Sequence, residues 1–178
     1  MAISSYPPVT PKRTVVTLTS GTSWTVPTGV TAVNVTLFGA GGGSGGVCTS
    51  DSTATSGGTG GTTTFTGATS ASGGAGSSAL NRSVTNSPVL NYASLAGTAN
   101  RGIGAFGASG STYFSGAYIP GSSGNAQDGQ VISSYISTTP GASISYAIGA
   151  GGTAGAAGNG GLAGAAGGAG LVEIEYWV

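Results

Sequence analysis

The stretch GAGGTAGAAGNGGLAGAAGGAG, residues 149–170, carries glycine at every third position. Eight glycines from Gly149 to Gly170 share this register. A period of three matches the polyproline II helix, which has three residues per turn and aligns all of these glycines along one edge. Because that edge has no side chains, another chain can lie against it and supply the hydrogen bonds that such a helix does not make internally. The stretch therefore predicts packed rods of the polyglycine II type.

A single straight rod does not fit a compact domain of 178 residues. At about 3.1 Å per residue the rod would be roughly 65 Å long, against a domain diameter of about 40 Å. The turn-forming pair Asn159-Gly160 therefore predicts a reversal in the middle of the stretch. A flexible linker is the alternative interpretation. Candidate neighbouring rods are marked by Gly39, Gly42 and Gly45, by Gly57, Gly58, Gly60 and Gly61, and by Gly104, Gly107 and Gly110.

Strand patterns occupy both ends of the chain. TVVTLT from Thr14, SWTV from Ser23 and AVNVTLF from Ala32 alternate apolar with small polar residues, which predicts that these three strands form a small antiparallel sheet. In the closing LVEIEYWV, the alternation points Val172, Ile174 and Tyr176 into a core and Glu173, Glu175 and Trp177 outward. The prediction is an all-β fold: a small antiparallel sheet or sandwich base formed by the N- and C-terminal strands, with glycine-rich polyglycine II-like rods and long loops.

The chain divides into an arm and one domain. Residues 1–13 contain Pro7, Pro8 and Pro11, which prevent a helix and predict an extended N-terminal arm. Residues 14–178 form a single glycine-rich β domain. Within it, residues 79–140 are predicted to be a variable loop region, and residues 149–170 are the Gly-x-y tract.

Composition excludes several classes of function. The chain has 37 glycines, four basic and four acidic residues, no histidine and a net charge of zero. Four cations cannot build the basic face that nucleic-acid binding requires. Half of the residues in 149–170 are glycine, and each disfavours a helix by about 1 kcal/mol, so membrane insertion is not expected. The start MAISSYPPVTPKR lacks the apolar run of a signal peptide.

No residues support catalysis, a cofactor or a metal. Cys48 is the single cysteine, so neither an intramolecular disulfide nor a thiol-based metal site is expected. The nearest pair of carboxylates, Glu173 and Glu175, lies on one face of a strand, where solvated glutamates are ordinary. We expect a binding or structural module rather than an enzyme.

The chain resembles the glycine-rich domains of bacteriophage tail fibre and tail-tip proteins of the adhesin type. The resemblance is carried by GTSWTVPTGVTAVNVTLFGAGGGSGG, residues 21–46, and by TPGASISYAIGAGG, residues 139–152, followed by glycine triplets and GLVEIEYW, residues 170–177. It covers nearly the whole chain after residue 13. The resemblance implies a layered polyglycine II scaffold whose connecting loops contact a receptor on the bacterial surface, either a polysaccharide or an outer-membrane protein.

The candidate receptor-binding residues lie within residues 79–140, where they interrupt the regular spacing of the glycines. Aromatic rings stack on sugar faces, and a guanidinium pairs with phosphate or carboxylate groups of surface polysaccharides. Filling space between thin glycine layers is the alternative role for any one aromatic residue. The candidates are Tyr92, Arg101, Phe106, Tyr113, Phe114 and Tyr118.

The expected location is the virion, at a tail fibre or tail tip. Other virion proteins are expected to bind the N-terminal arm, and a homo-oligomer is expected, with a trimer favoured. A purely structural virion component, such as a capsid decoration or head fibre protein, is the first alternative. An antifreeze-like glycine-rich protein is the second.

Overall fold

The computed structural model describes residues 10–48, 53–81, 112–115, 118–122, 125–159 and 161–178. Every regular element in this part of the chain is a strand, so the predicted all-β fold is confirmed. The strands are β1 (Arg13–Leu18), β2 (Ser23–Thr25), β3 (Ala32–Phe38), β4 (Val47–Cys48), β5 (Thr64–Phe65), β6 (Leu80–Asn81), β7 (Thr112–Ser115), β8 (Tyr118–Ser122), β9 (Val131–Ser137), β10 (Ser143–Ala147) and β11 (Leu171–Trp177).

Two antiparallel sheets form the base of the molecule. The larger sheet has the order β1-β11-β3-β9, and the smaller has the order β2-β10-β5. The strand patterns hold as predicted at the C-terminus, because Val172, Ile174 and Tyr176 are buried whereas Trp177 is exposed. Strands from both ends of the chain thus share one sheet, which ties the termini together.

The core lies between the two sheets. The larger sheet contributes alternate residues such as Val35, Leu37 and Ile174, which are completely buried. The smaller sheet contributes the rings of Trp24 and Phe65, whose centroids are 6.4 Å apart, and Trp24 lies 6.0 Å from the ring of Tyr176 in β11 of the larger sheet. Tilted rings at such distances are a favourable arrangement. This two-layer packing makes the base a sandwich.

The first three strands do not form one sheet as predicted. β11 lies between β1 and β3, and β2 pairs with β10 in the other layer. A turn at Pro27-Thr28-Gly29 follows β2, with Val30 N–H donating to Pro27 O and Gly29 at φ +83°. The segment between β2 and β3 crosses between the layers, and burial of Val26 and Val30 stabilises this crossing.

In the described part of the chain, six extended rods rise from the sheets. We number them in chain order: rod 1 (39–48), rod 2 (53–61), rod 3 (72–81), rod 4 (125–130), rod 5 (149–158) and rod 6 (161–170). Rods 1, 2, 5 and 6 are the ones that glycine spacing predicts. Rods 3 and 4 were not predicted, and the candidate rod at Gly104, Gly107 and Gly110 lies outside the described residues.

Rod 1 is the buried centre of the bundle, and its hydrogen bonds repeat every three residues. Its N–H groups donate to three antiparallel neighbours at N···O distances of 2.8–3.1 Å. Its carbonyls accept from two parallel neighbours, rods 3 and 5. The donors are Gly39 and Gly42 toward rod 4, Ala40, Gly43 and Gly46 toward rod 2, and Gly41, Ser44 and Val47 toward rod 6.

Rods 5 and 6 form an antiparallel pair around the predicted reversal. Gly170, Gly167, Gly164 and Gly161 donate in turn to the carbonyls of Gly149, Gly152, Gly155 and Gly158. The chain therefore turns between Gly158 and Gly161, which confirms the reversal predicted at Asn159-Gly160. Each of these two rods has ten residues and is about 30 Å long at 3.1 Å per residue, so the Gly-x-y tract fits the domain.

Two buried hydroxyl groups complete the lattice where its backbone pattern fails. At the sheet edge, Gly149 N–H donates to Thr63 Oγ1 (3.1 Å), which itself donates to Phe38 O (2.7 Å). Near the other end, Gly45 N–H donates to Ser77 Oγ (2.9 Å), three residues beyond the hydrogen bond from Gly42 to Gln127 in rod 4. Both hydroxyls satisfy an amide that glycine packing alone would leave without a partner.

Replacing Ser77 by alanine tests this role. We expect Ser77→Ala to lower the free energy of unfolding by about 1–3 kcal/mol, because the buried amide of Gly45 loses its acceptor. Thermal unfolding followed by circular dichroism provides the measurement. Ser78→Ala is the matched control: Ser78 is exposed on the same rod, and its substitution should change stability by no more than about 0.5 kcal/mol. Equal effects of the two substitutions would contradict the assignment.

Candidate functional site

The rods carry their chain reversals at the end remote from the sheets, which we call the far end. β3 leads into rod 1 at Gly39, and rod 1 ends at Cys48, whose backbone pairs with Asn81 of rod 3. Cys48 Sγ also contacts Asn159 O at 3.6 Å. Asn159 N–H in turn donates to Thr53 Oγ1 at 3.3 Å. Three separate connections, which start or end at these four residues, therefore meet at one place.

The segment that contains the predicted receptor-binding residues leaves the rods at this far end. The chain passes Asn81 beside Cys48 and returns to the bundle at Asn125, the first described residue of rod 4. Tyr92, Arg101 and Phe106 lie outside the described residues, so their assignment stays a prediction. Rod 4 and β9 occupy residues 125–137, so this part of the predicted loop region belongs to the scaffold.

Three of the predicted residues lie together on one β-hairpin. β7 and β8 pair antiparallel, with Tyr113 opposite Gly121 and Ser115 opposite Tyr118. The register shifts between Tyr113 and Ser115, which places Phe114 at a bulge. Bulges twist and bend a strand and often redirect side chains at functional sites. The hairpin thus brings Tyr113, Phe114 and Tyr118 into one short element.

The ion pair in the described part of the chain lies on the base and not at the far end. Arg13 Nε donates to Glu175 Oε1 between β1 and β11. This hydrogen bond and the charge of the Glu175 carboxylate hold the pKa of the Arg13 guanidinium above its usual value. Cys48, Thr53, Asn81 and Asn159 are uncharged. These four residues can therefore offer neutral hydrogen bonds but no ionic contact.

The described residues include neither a cluster of metal-ligating side chains nor a membrane-spanning helix. No group of three or more histidine, cysteine, aspartate or glutamate side chains is placed to hold a metal ion. In the same residues, no helix is long and apolar enough to cross a membrane.

No protein-family model matches the chain, and a search of curated proteins likewise finds no match.

A second candidate surface lies on the larger sheet and was not predicted. Tyr135 belongs to β9 and is 73% exposed, although its position within 79–140 suggested a loop. The alternation in VISSYIS, which turns Ile132, Ser134 and Ile136 inward, is the signal that identifies this strand. Tyr135 shares the outward side of the sheet with Val15 and Trp177, which are 47% and 46% exposed.

Proposed function

We propose that this chain is a phage virion protein of the tail fibre or tail-tip class, which binds a host-cell surface receptor non-covalently through its far end. The observation that supports this proposal most directly is the convergence of three connections at one end of the rods. Binding residues of proteins are commonly carried by loops on a rigid scaffold. Here the scaffold is a lattice of backbone hydrogen bonds that does not depend on the loop sequences.

The lattice explains how the loops can vary without loss of the fold. The rods are held by backbone donors and acceptors and by glycine edges, and serine and threonine hydroxyl groups add further hydrogen bonds between them. None of these hydrogen bonds involves a side chain of the loops that follow Cys48, Asn81 and Asn159. A scaffold of this kind suits a protein whose recognition surface must change while its attachment stays constant.

The aromatic hairpin gives the proposed contact its chemistry. Tyrosine and phenylalanine rings bind sugar faces and apolar protein surfaces with little loss of conformational entropy. We expect simultaneous replacement of Tyr113, Phe114 and Tyr118 by alanine to weaken adsorption to host cells at least about a hundredfold, since interface aromatics often contribute 2 kcal/mol or more each. Binding of the fluorescently labelled chain to bacterial cells measures this effect.

The control triple variant replaces Ser56, Thr59 and Thr62 by alanine. These residues repeat every three positions on the exposed side of rod 2 and its extension, and this variant should adsorb as the wild type does. Unchanged adsorption of the aromatic variant would remove the hairpin from the receptor site.

Location on the particle separates the leading proposal from its alternatives. Antibody labelling of intact virions should mark the tail, and the purified chain should compete with virions for adsorption. Labelling of the capsid without competition would favour a structural virion component and overturn the receptor role. Thermal hysteresis in solutions of the purified chain, with no labelling of virions, would favour the antifreeze-like alternative.

A further inference from the structure

The outward side of the four-stranded sheet, which we call the outer face, has no partner among the described residues. It concentrates exposed apolar side chains: Tyr135 is 73% exposed, Val15 47%, Trp177 46% and Val131 37%. Beside them are the half-buried Phe38 and Leu171. Tryptophan, tyrosine and arginine are the residue types that contribute most to protein interfaces, and Arg13 opposite Trp177 completes this set. The outer face therefore has the composition of a protein interface.

The strand register arranges these residues in rows across the sheet. One row is Val15, Glu175, Asn34 and Tyr135, in the order β1, β11, β3 and β9. The next row is Thr17, Glu173, Thr36 and Ser133, and beyond it Leu171, Phe38 and Val131 form an apolar row.

Each row, read from β1 to β9, is complementary to the same row of a second copy read in the opposite direction, from β9 to β1. If a second copy is rotated about a two-fold axis parallel to the strands, β1 lies over β9 of that copy and β11 over its β3. Val15 then faces Tyr135 of the second copy, Glu175 faces its Asn34, and Leu171 faces its Phe38. In the second row, Glu173 faces Thr36 of the second copy. Apolar residues meet apolar residues, and each carboxylate meets an amide or hydroxyl donor rather than another acid.

We propose that the outer face is a self-association surface through which two copies of this chain pair face to face. A two-fold axis parallel to the strands keeps the strand direction, so the rods of both copies point the same way and their far ends lie side by side. The pairing does not depend on the receptor-binding role. If that role holds, the pair presents two receptor sites together and gains avidity.

The size of the face predicts the strength of the pairing. Four strands about 4.8 Å apart and seven residues at about 3.3 Å each give roughly 19 Å by 23 Å, or about 440 Å² per copy. The pair would cover roughly 900 Å², which is less than the 1,200–2,000 Å² of a typical stable interface. We therefore expect a reversible dimer that dissociates in the micromolar range or above.

Sedimentation velocity of the purified full chain from about 1 μM to 1 mM tests the proposal. The wild type should shift from monomer to dimer across this range. Tyr135→Glu and Val15→Glu should each raise the dissociation constant at least about tenfold, because each places a charge against an apolar side chain. Leu162→Glu is the matched control: Leu162 is also 47% exposed but lies on rod 6, and its substitution should leave the dissociation constant unchanged.

A charge pair tests the register itself. Val15 and Tyr135 of one copy are three strands apart in the sheet, so they cannot form a pair within that copy. In the proposed dimer they meet across the two-fold axis, and the double variant Val15→Lys with Tyr135→Glu should recover at least half of the lost affinity on a logarithmic scale. A monomeric wild type, a trimer insensitive to both substitutions, an equal effect of Leu162→Glu, or absence of recovery would each overturn the proposal.

Discussion

Replacement of Gly164 by alanine is expected to unfold the rods at a much lower temperature than in the wild type. A Cβ built on Gly164 would overlap the carbonyl oxygen of Ser44 in rod 1. The backbone of Ser44 cannot move away, because its N–H donates to Ala165 O and its carbonyl accepts from Gly155 N–H. Overpacking of this kind costs about 3 kcal/mol or more. The melting temperature should fall by roughly 6–12 °C, measured by far-ultraviolet circular dichroism.

Gly168→Ala is the control for the same rod. Gly168 is exposed and lies in the row of Leu162 and Ala165, where side chains already project from the rod. An alanine there reduces the freedom of the unfolded chain and should leave stability unchanged or raise it by about 0.4–1 kcal/mol. The two glycine substitutions therefore differ in sign, although glycine content falls equally. Equal destabilisation would mean that the rods need glycine for flexibility and not for close approach.

The sequence predicted most clearly the two rods that pair with each other through a regular series of glycines. Rods 5 and 6 pair through Gly149, Gly152, Gly155 and Gly158, so the period of three and the reversal can both be recognised in the amino-acid sequence. Rod 4 has one glycine, Gly129, in the stretch NAQDGQ, and its place depends on neighbours that are distant in sequence. A rod at the edge of the bundle needs a bare edge on one side only, and its sequence signal is correspondingly weak.

The strands at the two ends of the chain were predictable, whereas β9, which lies in the predicted loop region, and the pairing of the strands were not. The alternation of buried and exposed residues follows directly from the residues of β3, β10 and β11. Which strands pair depends on where the rods return them. β11 lies between β1 and β3 because rod 6 packs beside rod 1, which leads β3 and β11 out of the bundle as neighbours. Long-range packing of this kind leaves no local pattern in the sequence.

The sequence predicted which residue types form the candidate site, but it predicted only part of their placement in the fold. Tyr113, Phe114 and Tyr118 share a hairpin, which their spacing alone did not reveal. The convergence of three connections at Cys48, Asn81 and Asn159 depends on the parallel course of rods 1 and 3. The direction of a rod is set by its hydrogen-bonding partners, so the common far end becomes visible only in the folded structure.

Removal of the segment between Asn81 and Asn125 is expected to abolish receptor binding while the scaffold remains folded. Rods 3 and 4 lie side by side, because Gln127 N–H donates to Ala75 O and Gln130 N–H to Ser72 O. This register puts Asn125 level with Ser77, four residues below Asn81. The gap is therefore about 12 Å along the rods and about 13 Å in total, which about six residues of Gly-Ser linker span.

The shortened chain should keep the hydrogen bonds of rods 1 to 6 and the sandwich core, since both are made between residues outside the removed segment in the described part of the chain. Its melting temperature should lie within about 4 °C of the wild type, equivalent to a change of roughly 1 kcal/mol. Trp24 fluorescence reports the core, because this ring packs against Phe65 and Tyr176. Adsorption to host cells should fall to the level of a non-binding protein. A folded shortened chain that still adsorbs would remove the segment between Asn81 and Asn125 from the receptor site and leave the two other far-end connections, the rods and the base as its location.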